Sequence, residues 1–163
     1  MFYNNREVAK KEQLKFEEIF DNNGKNEHHI NILSNKKIVG HCIYKDRKDG
    51  DIDFTWIEVK EEFRGNGFAS KCLDYICQKA LMDSRALIIN VVDEEVLSNF
   101  YFKWFKRRVN PNDIDDYDDE VLDYFNNLVT NEDKYFNAHH PTLVLKPEDI
   151  NWTPDQKPIF SNK

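Results

Sequence analysis

The sequence has few of the residues that stabilise small secreted or metal-bound proteins. It contains three cysteines, an odd number without the spacing of metal ligands, so we expect neither a disulfide scaffold nor a bound metal. Glycine and proline occur only five times each, and there is no repeat, low-complexity tract or clear linker. These shortages favour a single domain, residues 1–163, in a reducing cytoplasm.

Long apolar runs and a basic surplus are missing as well. No stretch approaches the roughly 18 uncharged apolar residues of a membrane helix, and charges interrupt residues 1–20, where a signal peptide would need an apolar core. Lys and Arg number 23 against 30 Asp and Glu, a formal net charge of -7. Since phosphate backbones attract positive surfaces, we expect no nucleic-acid partner and no membrane association.

What the chain does hold is enough apolar material for a core. Hydrophobic residues make up 40% of its 163 residues and aromatic residues 13%. A disordered chain would be poorer in both, so we expect a folded domain.

Hydrophobic periodicity predicts an α/β order of elements. Residues 5–20 have apolar positions at helical spacing, and we expect a helix there. Three strand-like runs at 28–34, 37–45 and 51–60 are joined by short turns and predict an antiparallel meander. Beyond them the pattern predicts, in order, a helix at 68–81, a strand at 86–92, a helix at 96–105, a loop at 106–116, a helix at 117–129, a strand at 141–146 and an extended tail at 148–163.

The most informative segment is the turn between the third strand and the helix at 68–81. It reads Val59-Lys60-Glu61-Glu62-Phe63-Arg64-Gly65-Asn66-Gly67-Phe68-Ala69. The free N–H groups of a helix's first turn attract an anion, and the helix dipole adds to the attraction. Glycine at 65 and 67 lets a phosphate approach the backbone, so the turn predicts a phosphate or pyrophosphate site with Arg64 beside it. It is neither a P-loop nor a Rossmann fingerprint, because no Gly-Lys-Ser/Thr follows and the third glycine is missing.

Arg64-Gly65-Asn66-Gly67-Phe68-Ala69 resembles the Arg/Gln-x-x-Gly-x-Gly/Ala signature of the GNAT N-acetyltransferase superfamily. The resemblance covers about residues 27–105 plus the strand at 142–146. It implies an α/β fold with a GNAT-like mixed, mainly antiparallel sheet flanked by helices, whose splayed central strands form an acetyl-CoA cleft. It also implies that residues 106–140 are an insertion between the catalytic helix and the last strand.

The same resemblance implies a set of residues that bind acetyl-CoA, the co-substrate. The turn would hold the pyrophosphate, and backbone groups of the strand before it would bond the pantetheine amides. The implied residues are Ile57, Val59, Arg64, Gly65, Asn66, Gly67, Phe68 and Ala69.

Tyr101 is the implied general acid. It matches the tyrosine that protonates the departing thiolate in the family, on the helix after the splayed strand. A phenol with a pKa of about 10 can give its proton to a thiolate. The alternative is a core tyrosine, because Tyr101 lies on the apolar stripe of its helix.

Asp53 is the implied catalytic base. It stands eleven residues before Arg64, like the catalytic acid of histone-type members, and shares strand parity with Val59. Asp51 and Glu58 are the other candidates, and removal of the proton through water is a further alternative.

The implied function is transfer of acetyl from acetyl-CoA to a primary amine by direct attack in a ternary complex. Acidic residues crowd 113–120, and they would attract a cationic acceptor such as a lysine-rich segment, a polyamine or an aminoglycoside, although a solvated helix end also explains them. One alternative is a GNAT-fold protein, including a phage-encoded one, that binds CoA or a partner without turnover. Another is an acidic interaction module whose glycines only form a turn. We expect a monomer or homodimer, and we expect Cys72 and Cys77 to be core residues.

Overall fold

A computed structural model describes residues 13–20, 26–91, 93–109, 117–130, 141–152 and 158–160. Its centre is a seven-stranded sheet in the order β1-β2-β3-β4-β5-β7-β6, and β8 and β9 form a separate hairpin. The strands are β1 Leu14–Phe20, β2 Glu27–Ser34, β3 Lys37–Asp46, β4 Ile52–Val59, β5 Leu87–Asn90, β6 Val129–Thr130, β7 Thr142–Leu145, β8 Ile150–Trp152 and β9 Pro158–Phe160. Neighbouring strands pair antiparallel except β4 and β5, which are parallel, so the expected mixed, mainly antiparallel sheet is confirmed.

Helices accompany the sheet where the 3.6-residue period predicted them. They are α1 Phe68–Met82, α2, with an α segment Glu94–Val96, a π segment Leu97–Phe102 and an α segment Lys103–Lys106, and α3 Tyr117–Leu128. The π segment was not predicted. It inserts one wider turn around Tyr101.

The core lies on one side of the sheet, here called the helix face, which packs against α1 and α2. Five strand residues of this face are at most 3% exposed, namely Ile30, Ile32, Cys42, Tyr44 and Phe54. Cys72 and Cys77 of α1 are buried, as predicted. A hydrogen bond to Cys72, together with burial, raises the pKa of the Cys42 thiol and shows how closely β3 and α1 approach.

The helix predicted at 5–20 is wrong where the structure describes it. Residues 14–20 form β1, which pairs with β2, while residues 5–12 lie outside the described residues. The alternating pattern of β1 was not recognisable in the sequence, because Glu18 places a carboxylate at a position that faces the helices. Its oxygens accept hydrogen bonds from Tyr44, Tyr75 and Lys79, which is why a charge is tolerated there.

Within the segment predicted as an extended tail, the described residues form regular structure. A 3₁₀ turn at Pro147–Asp149 leads into the β8–β9 hairpin. Phe160 anchors the hairpin, since its ring centroid lies 4.5 Å from that of Phe105 and 5.6 Å from that of Trp104.

A bulge at Thr55 divides β4 into two halves. Tyr44 of β3 pairs with Phe54, and Ile43 pairs with Trp56, so Thr55 is an extra residue between them. An extra residue inverts the alternation of side chains along the rest of a strand.

This inversion corrects the predicted orientation of Asp53. Beyond the bulge, Ile57 and Val59 lie on the helix face, opposite Cys42 and Gly40 of β3. Asp53 lies on the opposite side of the sheet, here called the second face, which carries His29, Asn31, His41, Trp56 and Glu58. The expected shared parity of Asp53 and Val59 is therefore wrong.

Candidate functional site

The turn between β4 and α1 has the open backbone that its glycines predicted. A 3₁₀ turn at Glu61–Phe63 is followed by Gly65 and Gly67, whose φ angles are 87° and 78°. These left-handed values favour glycine, and a side chain at either position would point into open space while straining the backbone.

Two side chains stabilise the turn from within. The Arg64 Nε–H donates to the Val59 carbonyl at 2.9 Å, and the Asn66 amide donates to the Phe63 carbonyl at 3.0 Å. Gly67 begins α1 without a capping side chain, so the N–H groups of the first helical turn remain available. Together with the helix dipole they form an anion site.

A cavity of about 550 Å³ opens in front of this turn, and the charged side chains described in its lining are all positive. None of its described lining residues is a carboxylate, although the chain as a whole carries a net charge of -7. The lining cations are Arg64, Lys71, Lys103, Arg107 and Arg108.

Sequence reasoning named only Arg64 among these cations. Lys103 and Arg107 lie four residues apart on α2 and so share a helix face, a signal that was present in the sequence. Arg107 donates to the Ser70 hydroxyl of α1 at 2.9 Å. Arg108 is instead paired with Asp74 of α1, so its charge is neutralised.

β4 and β5 separate next to this cavity. Their parallel pairing ends at Phe54 and Ile89, so the described residues 55–59 pair with β3 alone. The Lys60 N–H bonds to Val39 of β3 at 2.8 Å. Backbone groups alternate between the two edges of a strand, so those of Ile57 and Val59 point toward the gap.

The gap widens into a second cavity of about 660 Å³, here called the cleft. It adjoins the first cavity, because four residues line both, namely Val59, Arg64, Ala69 and Phe100. One groove therefore runs from the glycine turn to the gap between the strands. All of the predicted acetyl-CoA residues except Asn66 line it, with Phe68 otherwise buried in the core.

Tyr101 lies in the π segment of α2 and reaches the cleft. It is 6% exposed, and burial raises the pKa of its phenol, with a smaller contribution from Cys42. Its hydroxyl makes no hydrogen bond with a described residue. At neutral pH the hydroxyl therefore keeps its proton, and Tyr101 brings to the cleft lining a donor that has no acceptor among the described residues.

The three candidate bases, Asp53, Asp51 and Glu58, have different surroundings in the structure. Asp53 forms an ion pair with Arg47 at 3.3 Å in the part of β4 that is still paired with β5, and it does not line the cleft. Asp51 accepts a hydrogen bond from the Ala86 N–H at 3.1 Å. Glu58 lines the cleft, and no hydrogen bond or ion pair joins it to another described residue.

Only part of the acidic segment 113–120 belongs to the described residues. Asp113, Asp115 and Asp116 lie outside the described residues, whereas Asp118 is exposed and forms an ion pair with Lys106 at 2.6 Å. Among the described residues no cluster of three or more His, Cys, Asp or Glu could hold a metal ion. No helix in the described part of the chain is long and apolar enough to cross a bilayer.

Comparison with known proteins assigns this architecture to an acyltransferase class. The sequence model of the acetyltransferase (GNAT) family matches residues 2–104, and the chain belongs to this family. No curated protein matches the sequence significantly.

Solved structures agree on the fold. A GNAT acetyltransferase from Elizabethkingia anophelis with acetyl-CoA bound is 11% identical, with a TM-score of 0.51, and the match covers 83% of this chain and 99% of that one. An acetyltransferase from Bacillus subtilis in complex with CoA is 14% identical, with a TM-score of 0.50 and the same coverage. Across eight of these solved structures the match covers from 53% to 99% of the other chain. At these identities the likeness shows the fold alone.

One further solved structure is the KacTA–DNA complex, at 9% identity and a TM-score of 0.49. A likeness this low carries no argument about nucleic acid. The expectation of no nucleic-acid partner stays a prediction.

Proposed function

We propose that the protein transfers the acetyl group of acetyl-CoA to a primary amine. The observation that carries this proposal is the groove from the glycine turn to the gap between β4 and β5. One end offers the N–H groups of a helix N-terminus without a capping side chain, and the charged residues described in its lining are all cations, which suits a pyrophosphate. The other end offers unpaired strand edges beside a buried phenol, which suit an amide-containing arm and a thioester.

Different residues of the groove would bind different parts of acetyl-CoA. Backbone N–H groups from Gly67 onward would bind the pyrophosphate, with Arg64 and Lys71 adding positive charge. Val59 would offer its N–H to the pantetheine arm, because Arg64 already occupies its carbonyl. Ile57 would offer both its N–H and its C=O, which point toward the gap between the described strands.

Acetyl transfer would then need a neutral amine and a protonated leaving group. The amine nitrogen attacks the thioester carbon, the carbon–sulfur bond breaks, and the sulfur takes the Tyr101 proton. The proton lost by the amine leaves through Glu58, the one candidate base that lines the cleft, or through water. Its return to Tyr101 restores the phenol.

The acceptor would be a cationic amine that reaches the cleft from the second face. Glu58 presents a carboxylate there without a described partner, and the net charge of -7 favours approach of a cation.

Calorimetry with acetyl-CoA tests the site, using Gly67→Asp. The variant places a side chain and a negative charge before the helix N-terminus, and we expect acetyl-CoA affinity to fall at least about 100-fold. Gly50→Asp is the matched control, because Gly50 has a φ of 94° and open space around it but lies in the β3–β4 turn. Equal affinity in wild type and Gly67→Asp would remove the pyrophosphate assignment.

A screen for acetyl transfer tests the reaction itself. Thiol release from acetyl-CoA would be followed with a lysine-containing peptide, spermidine and an aminoglycoside as acceptors. Tight acetyl-CoA binding without transfer to any amine would favour a CoA-binding protein without turnover.

A further inference from the structure

A row of four hydrogen-bonding side chains crosses the second face beside the cleft. The His29 Nε2 lies 3.3 Å from the Glu27 Oε1, and the His29 Nδ1 lies 3.2 Å from the His41 Nε2. The His41 Nδ1 lies 3.1 Å from the Asn31 Oδ1. Every ring nitrogen of the two imidazoles therefore faces a polar atom of a neighbour.

With the Asn31 oxygen turned toward His41, the order of donors and acceptors sets how many ring protons satisfy this row. A carboxylate and an amide oxygen only accept, so in this arrangement the His29 Nε2 and the His41 Nδ1 both carry hydrogen. Between the two rings one nitrogen must donate and the other must accept. The row is therefore satisfied by three ring protons on four nitrogens, and a fourth would set two N–H groups against each other.

The surroundings assign the bare nitrogen to His41. Burial lowers the pKa of His41, and the charge of His29 lowers it further, whereas His29 has the Glu27 carboxylate as its partner. The other described charged groups on this face are Lys15 and Glu17 of β1, Lys45 of β3, and Asp53 and Glu58 of β4. Lys45 is paired with Glu27 at 3.4 Å and Asp53 with Arg47, while Glu58 stands directly opposite His41.

His41 connects this row to the cleft through Trp56. The two ring centroids are 5.7 Å apart, and Trp56 is 43% exposed where it lines the cleft. The indole has no hydrogen bond to a described residue, so the contact with His41 is its described support. A movement of His41 would therefore change the position of Trp56 in the wall of the cleft.

We propose that Glu27, His29, His41 and Asn31 form a proton-controlled support for Trp56, which holds three ring protons at neutral pH and releases Trp56 when a fourth is bound. His41 is thus a positioning residue, which acts through Trp56 on the acceptor side of the cleft. The consequence for acceptor binding rests on the proposed function, whereas the proton count and the release of Trp56 do not.

The proton count is tested by long-range ¹H–¹⁵N correlation spectra of the full-length protein at pH 7. We expect three protonated nitrogens in the two rings together and His41 to be a neutral Nδ1–H tautomer, with His29→Gln and His41→Gln providing the assignments. An Asn31 amide turned the other way would allow two neutral Nε2–H rings. Observation of that pattern would overturn the proposal.

The release of Trp56 is tested by tryptophan fluorescence from pH 8 to pH 5, with Trp56→Phe subtracted to isolate its signal. We expect one transition as His41 gains its second proton. Asn31→Asp should raise the midpoint by about one pH unit or more, because a carboxylate beside Nδ1–H favours the imidazolium. His28→Gln is the matched control, since His28 lies on the helix face, stacked on Tyr44, and should leave the Trp56 transition in place.

The effect on function is read from the KM of the amine acceptor. We expect KM to rise about three- to tenfold as the pH falls through the same midpoint, with the acetyl-CoA affinity unchanged. The acceptor's own titration is identical for wild type and Asn31→Asp, so only the proposed support shifts the midpoint between them. A Trp56 signal that is flat with pH, or a midpoint unmoved by Asn31→Asp, would refute the inference even if acetyl transfer is found. Failure to acetylate any amine would instead count against the proposed function.

Discussion

Substitution of Tyr101 by phenylalanine separates a catalytic hydroxyl from a structural one. The variant keeps the ring, which makes an edge contact with Phe100 at a centroid distance of 4.8 Å, and removes only the oxygen. Because that hydroxyl has no hydrogen-bond partner among the described residues, the free energy of unfolding should change by less than about 1 kcal/mol. Turnover should fall about 100-fold or more, the range for loss of a general acid.

Tyr44 provides the opposite control. It is buried like Tyr101, but its hydroxyl donates to the Glu18 carboxylate at 2.8 Å, and Tyr44 does not line the cleft. Tyr44→Phe should therefore cost about 1.5 kcal/mol of stability, as for other hydrogen bonds to charged groups, and leave turnover unchanged.

Urea denaturation and thiol release from acetyl-CoA, measured on both variants, complete this experiment. Burial raises the pKa of Tyr101, so wild-type turnover should show no alkaline loss from this residue up to about pH 10. Near-normal turnover in Tyr101→Phe would refute the assignment of the general acid.

Three further outcomes follow from the packing and electrostatics. Asp74→Ala should destabilise the protein by about 3 kcal/mol in urea denaturation, because it leaves the buried Arg108 and the Trp104 Nε1–H without their partner. Asp118→Ala, which breaks an exposed pair with Lys106, should cost less than about 1 kcal/mol, and equal losses would contradict this account. Burial raises the pKa of Glu18, but hydrogen bonds from Lys79, Tyr44 and Tyr75 outweigh it and lower the pKa, so its stabilisation should be lost as the pH falls from about 4.3. Glu18→Gln should flatten this acid limb of the stability profile, and an unchanged slope would exclude Glu18 as its source. Cys72 and Cys77 should react with a thiol reagent only on unfolding, and rapid labelling of the native protein would contradict their burial.

Local patterns predicted the parts of the fold in which one period dominates. The stripe of α1 and the meander of β2 to β4 follow from spacing alone, because their inward residues are almost all apolar. β1 could not be predicted in this way, since Glu18 faces the helices and is stabilised by residues distant in sequence. The prediction for β1 failed because it assumed that residues facing the core carry no charge.

The residues of the candidate site show the same difference between local patterns and contacts that are distant in sequence. The glycine turn was predicted from a short motif, since a helix N-terminus after a strand is a local feature, and Tyr101 was implied by the family resemblance that this motif carries. Asp53 was placed by counting along a strand, and the bulge at Thr55 made that count misleading. Lys103 and Arg107 were missed because their role depends on the packing of α2 against α1, which puts them beside the turn.

The π segment of α2 also affects how this chain should be aligned with other sequences. A π turn accommodates one more residue than the corresponding α turn, so every position after it is displaced by one relative to an uninterrupted helix. An alignment without gaps would therefore pair Trp104 and Phe105 with the wrong neighbours in a relative whose helix is regular. A single-residue gap within 97–102 compensates for the displacement. Conservation scores computed without that gap would underrate the segment that holds Tyr101.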